Sequence, residues 1–415
     1  MSLVAQVRAA LGGPRWRKRL AVIVTNSANS LLVPLFSPVV SVLVVRLAGV
    51  GLWGDFVRVL VVAQLAAHVA GWGNKDYVLR EFARSPAGLA AAWQTSFFTR
   101  LALLAAGVGA LALFGFSPLR WALLALLTAV LMLAQSFEVL VLYRRDFVFG
   151  LAVEALTVTL LAAPVLALRQ ALTLEALLVN YIVANAVETL VYFLRYRREV
   201  AARRVAGPHV NWLRQAGPFF LLGLSGLLQS RVDLYAAVTW LPRDQLGHYQ
   251  IYSNLMIYLQ SVAAFVLTPF VKSLYRLHAR ALAGLALKLG LVGVLIVAGG
   301  VPAAALALRF GYHLHFAPSF FAAGALFVLP IYFYLPLIYA LFKLDRALWV
   351  VAANGLGVVL NLALNAWWLP QLGALGAAWA SAATQWALLL FYLAWGRQFS
   401  RVTDELPLSD LPSAS

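Results

Sequence analysis

The chain has 415 residues, of which 63% are hydrophobic and 11% charged. A soluble domain carries about 25% charged residues, so this composition predicts an integral membrane protein and excludes an ordinary soluble enzyme. The formal net charge is +17, but the basic residues lie between apolar stretches. We therefore interpret the positive charge as a consequence of membrane topology, with basic residues in the loops between spans, and expect no nucleic-acid partner.

Twelve apolar stretches are long enough to cross about 30 Å of hydrocarbon. Each is expected to be a helix, because every backbone polar group must find a partner inside lipid. The first follows a basic leader and superficially resembles a signal peptide, but it runs too long and lacks a small-residue cleavage pattern. The predicted spans are residues 20–45, 56–73, 90–116, 119–142, 147–168, 172–194, 213–241, 245–271, 284–308, 319–342, 347–369 and 373–396.

The distribution of basic residues predicts the orientation of these spans. With a cytoplasmic N-terminus, 22 of the 32 Lys and Arg residues fall in inner segments and five fall in outer loops. This ratio satisfies the positive-inside rule and predicts that both termini are cytoplasmic. We expect a multi-pass protein of the plasma (inner) membrane.

The sequence contains an internal repeat. Residues 80–90 recur 196 positions later as residues 276–286, with seven identities in eleven positions, and 54–56 are echoed by 247–249. Six spans per repeat predict two six-helix lobes related by a pseudo-twofold axis along the membrane normal. The predicted divisions are an N-terminal lobe at 1–194, a basic cytoplasmic linker at 195–212, a C-terminal lobe at 213–396 and a cytoplasmic tail at 397–415.

Several kinds of chemistry have no sequence signature in this chain. There is no phosphate-binding loop of the G-x-x-x-x-G-K-[ST] type, no clustered His and Asp metal pattern, and no cysteine for disulfides or thiol catalysis. We therefore expect neither a cofactor nor a metal, and no enzymatic activity.

Charged residues inside the predicted spans are the candidates for function, because charges at bilayer depth are costly and usually face protein or a watery cavity. Arg231 and Asp233 are two positions apart, so they point to nearly opposite sides of a helix and cannot pair with each other. The residues in this group are Arg100, Glu138, Glu154, Glu188, Arg231 and Asp233.

Polar residues also form stripes at helical spacing. Such stripes either bond neighbouring helices together or line a cavity. We favour the first role for Asn354, Asn361 and Asn365, and a cavity for the buried charges. Arg58 lies near the outer surface, where its side chain either only snorkels to the interface or has a functional role. The other stripes are Asn26 with Asn29, Gln64 with His68, Tyr181 to Tyr192, Ser225 with Gln229 and Asp233, and Tyr249 with Ser253 and Gln260.

Three segments resemble the polysaccharide (O-antigen type) flippases of the multidrug/oligosaccharidyl-lipid/polysaccharide exporter superfamily. They are Leu47–Phe56, Tyr77–Arg84, and the stretch from Asn361 and Asn365 through Leu369-Pro370 to Gly373–Ser381. The Arg231-x-Asp233 pair is similar too. The resemblance covers about residues 20–396, and its motifs mark architecture more than substrate.

The resemblance implies alternating access and transfer of a polyprenyl-diphosphate-linked glycan from the cytoplasmic to the external leaflet. A cleft for a diphosphate is expected to offer cations and hydroxyls. Buried carboxyls at Glu138, Glu188 or Asp233 could carry a coupling proton or sodium ion, or could be fixed partners of arginines. The expected substrate-binding residues are Asn26, Arg58, His68, Arg100, Gln229, Arg231 and Asp233.

The main alternative is a cation-coupled multidrug antiporter of the same superfamily. The absence of an acid in the first span disfavours it, whereas Glu138, Glu154 and Glu188 are compatible with it. A non-transporting scaffold would need no charges inside the membrane. The sequence leaves open the glycan, the coupling ion and the oligomeric state.

Overall fold

The computed structural model describes residues 38–111, 117–201, 207, 209–268, 271–275 and 279–405. Throughout these ranges the backbone is helical apart from short connections, and no strand occurs, which confirms the predicted all-helical fold class. The thirteen main helices within them are α1 Pro38–Ala48, α2 Val50–Gly71, α3 Asn74–Arg84, α4 Leu89–Leu111, α5 Pro118–Arg144, α6 Phe147–Leu168, α7 Leu174–Val200, α8 Val210–Trp240, α9 Arg243–Leu267, α10 Ala279–Leu306, α11 Pro318–Lys343, α12 Ala347–Leu372 and α13 Ala374–Glu405.

Nine helical segments of the described chain are long and apolar enough to cross a membrane. They are formed by α2 with α3, by α5, α6 and α7, and by α9 to α13. Helices α4 and α8, of 23 and 31 residues, occupy the third and seventh predicted spans. The first predicted span lies largely outside the described residues, and α1 covers its end. The chain is therefore a multi-pass membrane protein.

The helix ends follow from local sequence. Pro118 and Pro318 stand at the first positions of α5 and α11, where the missing N–H costs nothing. At the start of α7 the Thr173 hydroxyl accepts a hydrogen bond from the Ala176 N–H at 3.2 Å. Between α12 and α13 the chain turns at Gly373, whose φ of +59° favours glycine.

The described chain divides into two compact units. Unit 1 contains residues 63–216, and unit 2 contains residues 44–62 together with the chain from Gly217 onward. The first half of α2 thus belongs to unit 2, a grouping that the repeat did not predict. The predicted division into lobes at 1–194 and 213–396, with a linker at 195–212 and a tail at 397–415, remains a prediction.

Each unit has its own packing. In unit 1, aromatic side chains such as Phe82, Trp93 and Phe137 form a buried cluster. In unit 2, α10 lies directly against α11, because Gly290 and Gly293 present no side chains there. A Cβ atom on Gly290 would lie 2.1 Å from a ring carbon of Phe333, and one on Gly293 would lie 2.5 Å from Tyr332.

Candidate functional site

Arg231 and Asp233 of α8 bond to different neutral side chains of α9 in unit 2. The half-buried Arg231 donates from Nη1 to Asn254 Oδ1 at 2.5 Å. Asp233, only 4% exposed, accepts hydrogen bonds from the Tyr249 hydroxyl and, at 3.4 Å, from Ser253. No ion pair joins the two charges in the described chain, which confirms the expectation from their spacing.

Gln229 lies one helical turn before Asp233, as the predicted stripe requires. Its Nε2 is buried and has no hydrogen-bond partner among the described residues. Its side chain lies against α12 at Gly357, and one turn earlier Ser225 accepts a hydrogen bond from Asn354 at 3.1 Å. An unsatisfied buried amide is a donor that a bound polar ligand or a water molecule would satisfy.

Arg58 is anchored to backbone in unit 2. Its Nη2 donates to the Leu241 carbonyl, just beyond α8, at 2.6 Å, while its Nε is buried without a partner in the described chain. The bonded carbonyl lies at the end of a helix, where carbonyl oxygens are unpaired and carry partial negative charge. This contact gives Arg58 a structural role and leaves one donor unused.

Close by, α2 and α9 cross with their backbones in contact. A Cβ atom on Gly54 would lie 1.8 Å from the Arg243 carbonyl oxygen, and one on Gly247 would lie 2.4 Å from that of Val50. Trp53 Nε1 donates to Gln250 Oε1 across the crossing at 2.7 Å. Gly54 and Gly247 are equivalent positions of the internal repeat, so the repeated glycines meet each other here.

In unit 1 the central feature is Arg100 of α4, which is 1% exposed. Its Nη1 donates to Ser136 Oγ at 3.0 Å and its Nη2 to the Met132 carbonyl at 3.2 Å, both on α5. Its Nε has no partner in the described chain. Glu138 interacts with Arg100 electrostatically but forms no ion pair with it within 4 Å. The guanidinium is therefore a buried cation bonded to neutral groups only.

Three carboxyl groups on α5, α6 and α7 also lie in unit 1. Glu188 is buried and accepts a hydrogen bond from Thr157 at 3.4 Å. Glu154 and Glu138 are close enough to interact with it electrostatically. Glu138, near the end of α5, has an exposed side chain. The described residues contain no group of acidic and histidine side chains arranged to hold a metal ion.

The remaining predicted residues are not brought into these groups. His68 is half-buried on α2, and no hydrogen bond of its ring is described. Asn26 lies outside the described residues. Three further residues, not predicted from the sequence, bond the candidate charges: Asn254 bonds Arg231, Ser136 bonds Arg100 and Thr157 bonds Glu188. The only signal for them was a polar residue inside an apolar span.

The asparagine stripe of α12 joins helices, as favoured. Asn361 donates to Thr384 at 3.2 Å and to Ser381 at 3.4 Å, both on α13, and Asn365 donates to the Asn361 carbonyl at 2.9 Å. After the turn, a Cβ atom on Gly376 would lie 2.4 Å from the Trp368 carbonyl oxygen. Asn361, Asn365 and Gly376, which belong to the third resembling segment, are thus explained by helix packing.

Comparison with known proteins shows no matching family model and no matching curated protein. Solved structures do match. The lipid II flippase MurJ in an inward closed conformation has a TM-score of 0.69 at 12% identity, over 89% of this chain and 87% of that one. An inward-facing MATE multidrug transporter of the MOP superfamily has a TM-score of 0.63 at 13% identity, over 93% and 100%. A MATE in complex with Br-NRF has a TM-score of 0.58 at 15% identity, over 93% and 96%.

At these identities the likeness shows the fold alone. Both kinds of neighbour are transporters, and both cover nearly the whole chain. The chain therefore shares its fold with MurJ and with the MATE transporters.

Proposed function

We propose that the protein is a flippase that transfers a polyprenyl-diphosphate-linked oligosaccharide from the cytoplasmic to the external leaflet by alternating access. It acts in surface polysaccharide biosynthesis, as a transporter and not as an enzyme. It resides in the plasma (inner) membrane with both termini cytoplasmic. The observation that carries the proposal is that the guanidinium groups of Arg100 and Arg231, on helices α4 and α8 that occupy predicted spans, bond only to neutral partners.

An unpaired cation inside a membrane protein is expensive, so it is expected to have a use. All six ion pairs in the described chain involve exposed arginines, and none includes Arg100 or Arg231. A diphosphate supplies the missing negative charge, because guanidinium groups bind phosphate oxygens through charge-assisted, often bidentate hydrogen bonds. A cationic drug would be repelled by the same groups. This contrast favours a lipid-linked anionic substrate.

The roles of Arg100, Arg231 and Gln229 are proposed from their bonding. In unit 1 the diphosphate-binding cation is Arg100. In unit 2 it is Arg231, and Gln229 supplies an amide donor. Arg58, His68, Asn26 and Asp233 complete the substrate-binding set. Asp233 and Glu188, which are buried, and Glu138 are the proposed coupling groups for a proton or sodium ion. The lobes at 1–194 and 213–396, joined by the linker 195–212, are the bodies that alternate.

A cation-coupled multidrug antiporter is the second candidate. It is favoured by the three mutually interacting carboxyl groups of unit 1, because acidic side chains attract cationic compounds. The structural similarity to MATE transporters does not distinguish the two candidates, because the flippase MurJ is a structural neighbour as well. The two candidates differ in the sign of the charge that the substrate carries.

The level of polyprenyl-diphosphate-linked oligosaccharide in membranes of a deletion strain tests the proposal. Accumulation together with loss of surface glycan supports it and identifies the substrate by mass. An unchanged level would refute it and lead to drug-efflux assays.

A charge reversal tests the site itself. Arg231→Glu is expected to leave the deletion strain uncomplemented. Arg214→Glu serves as the matched control, because it reverses an exposed charge on the same helix and should complement. Normal glycan export by Arg231→Glu at normal protein levels would show that this charge is not part of the binding site.

A further inference from the structure

Unit 1 contains a cavity of about 600 Å³ that the proposed function does not use. It lies between α4, α5 and α7 and is lined by aromatic side chains, including Trp93, Phe97, Phe137 and Phe193. Its volume falls in the range of about 300–1,000 Å³ that is typical of ligand pockets.

The walls of the cavity are preformed. The Trp93 indole N–H donates to the Ser136 carbonyl at 2.8 Å, which fixes the ring. Trp93 stacks on Phe97 at 4.9 Å between ring centroids and contacts Phe137 at 5.2 Å. Gln94 ties α4 to the end of α7 by donating to the Val200 carbonyl at 2.9 Å. An apolar chain entering such a space displaces no side chain.

Extending the offset of the internal repeat allows the cavity-lining positions of unit 1 to be compared with positions in unit 2. The repeat offset of 196 pairs Gln94 with Gly290 and Phe97 with Gly293. In unit 2 those glycines let α10 lie directly on α11, against Phe333 and Tyr332. In unit 1 the side chains of Gln94 and Phe97 occupy these positions and line the cavity. At the paired positions of the described part of unit 2, α10 and α11 are in contact and leave no such gap.

The ends of the cavity indicate what fits it. Arg197 is exposed and lines the cavity about one turn before α7 ends, in the segment predicted to be cytoplasmic. Val200 and Ala201 line the cavity beyond it. No ion pair of Arg197 is found in the described chain. From Arg197 to Ala186 the cavity follows α7 for roughly 16 Å, at 1.5 Å per residue. This equals the thickness of one leaflet, about 15 Å.

We propose that the cavity binds an anionic phospholipid of the cytoplasmic leaflet, with one acyl chain between α4, α5 and α7 and its phosphate at Arg197. Basic pockets between transmembrane helices on the cytoplasmic side recognise such headgroups. The cavity matches an acyl chain of one leaflet, whereas a polyprenyl chain is longer than the leaflet is thick. The site does not depend on the proposed transport function.

The test is native mass spectrometry of the purified full-length protein with added phosphatidylglycerol, phosphatidylcholine or a polyprenyl phosphate. We expect one retained phosphatidylglycerol, bound at least about fivefold more tightly than phosphatidylcholine, since one interfacial arginine contributes that factor. Arg197→Gln should remove this preference. Arg198→Gln is the matched control, because it removes the neighbouring charge, which does not line the cavity, and should keep the preference.

A second variant tests the apolar part. Ala186→Phe places a ring in the cavity and should weaken retention of phosphatidylglycerol, with an unchanged thermal melt showing that the protein is folded. The proposal would be overturned if Arg197→Gln and Arg198→Gln lost the preference for phosphatidylglycerol equally. It would also be overturned if the unaltered protein retained phosphatidylcholine as strongly as phosphatidylglycerol. Preferential retention of the polyprenyl phosphate would also overturn it and assign the cavity to the transported lipid.

Discussion

The crossing of α2 and α9 makes a specific prediction for Gly54→Ala. The added Cβ atom would lie 1.8 Å from the Arg243 carbonyl oxygen and 2.7 Å from its carbon. Non-bonded heavy atoms prefer about 3.5 Å, so the two helices must separate locally by roughly 1.5 Å. The obstructing atoms belong to backbone and cannot rotate away.

The expected cost has two parts. Overpacking of this kind costs about 1–3 kcal/mol. Separation also breaks the 2.7 Å hydrogen bond from Trp53 to Gln250, which contributes about 0.5–1.5 kcal/mol. The intrinsic helix preference of alanine over glycine offsets about 1 kcal/mol. We expect Gly54→Ala to weaken the crossing by about 1–3 kcal/mol.

Because the chain has no cysteine, a single introduced thiol reports on the crossing without background labelling. Val57, one turn from Gly54, is buried at 1% exposure, so maleimide should label Val57→Cys slowly. Adding Gly54→Ala should accelerate labelling at least about fivefold, the factor that corresponds to 1 kcal/mol. The control is Gly226→Ala on α8, where a Cβ atom would meet nothing within 4 Å. Equal labelling rates in the two glycine variants would refute the reasoning.

Three other predictions concern the buried polar groups. Asn361→Leu should destabilise the protein by about 1–2 kcal/mol, seen as a lower melting temperature, with glycan export per folded molecule retained, because Asn361 bonds α12 to α13. Arg100→Met should abolish glycan export without lowering the melting temperature, since it removes a buried charge that bonds only neutral groups; a lower melting temperature with normal export would contradict this. Asp233→Asn and Glu188→Gln should each keep the fold, and the one that abolishes export identifies the coupling carboxyl; full export by both would exclude ion coupling at either group.

The fold class was predictable because the membrane imposes simple rules. Inside lipid a backbone must be helical, and a span needs about 20 apolar residues, so composition and length fix the class. The repeat at residues 80–90 and 276–286 predicts that α4 and α10 are equivalent helices. The spacing of Arg231 and Asp233 excluded an ion pair, and the structure has none between them.

The partners of the polar residues were less predictable. Arg58 bonds a carbonyl beyond α8, and Arg100 bonds Ser136 and the Met132 backbone. Such partners come from other helices, and their choice depends on how each helix is rotated about its axis. Hydropathy carries little information on rotation, because lipid-facing and protein-facing positions are both apolar.

The sequence by itself determined the all-helical, membrane-spanning class of the chain, and it placed cations inside apolar helices, because these features depend on local composition. Only the tertiary structure decided that Gly54 meets Gly247, that the asparagine stripe joins α12 to α13, and that a cavity lies between α4, α5 and α7 whereas α10 touches α11 at Gly290 and Gly293. The physical reason is that helix packing depends on single side chains at close range. A glycine or a phenylalanine at one position changes the distance between two helices without changing the hydropathy of either.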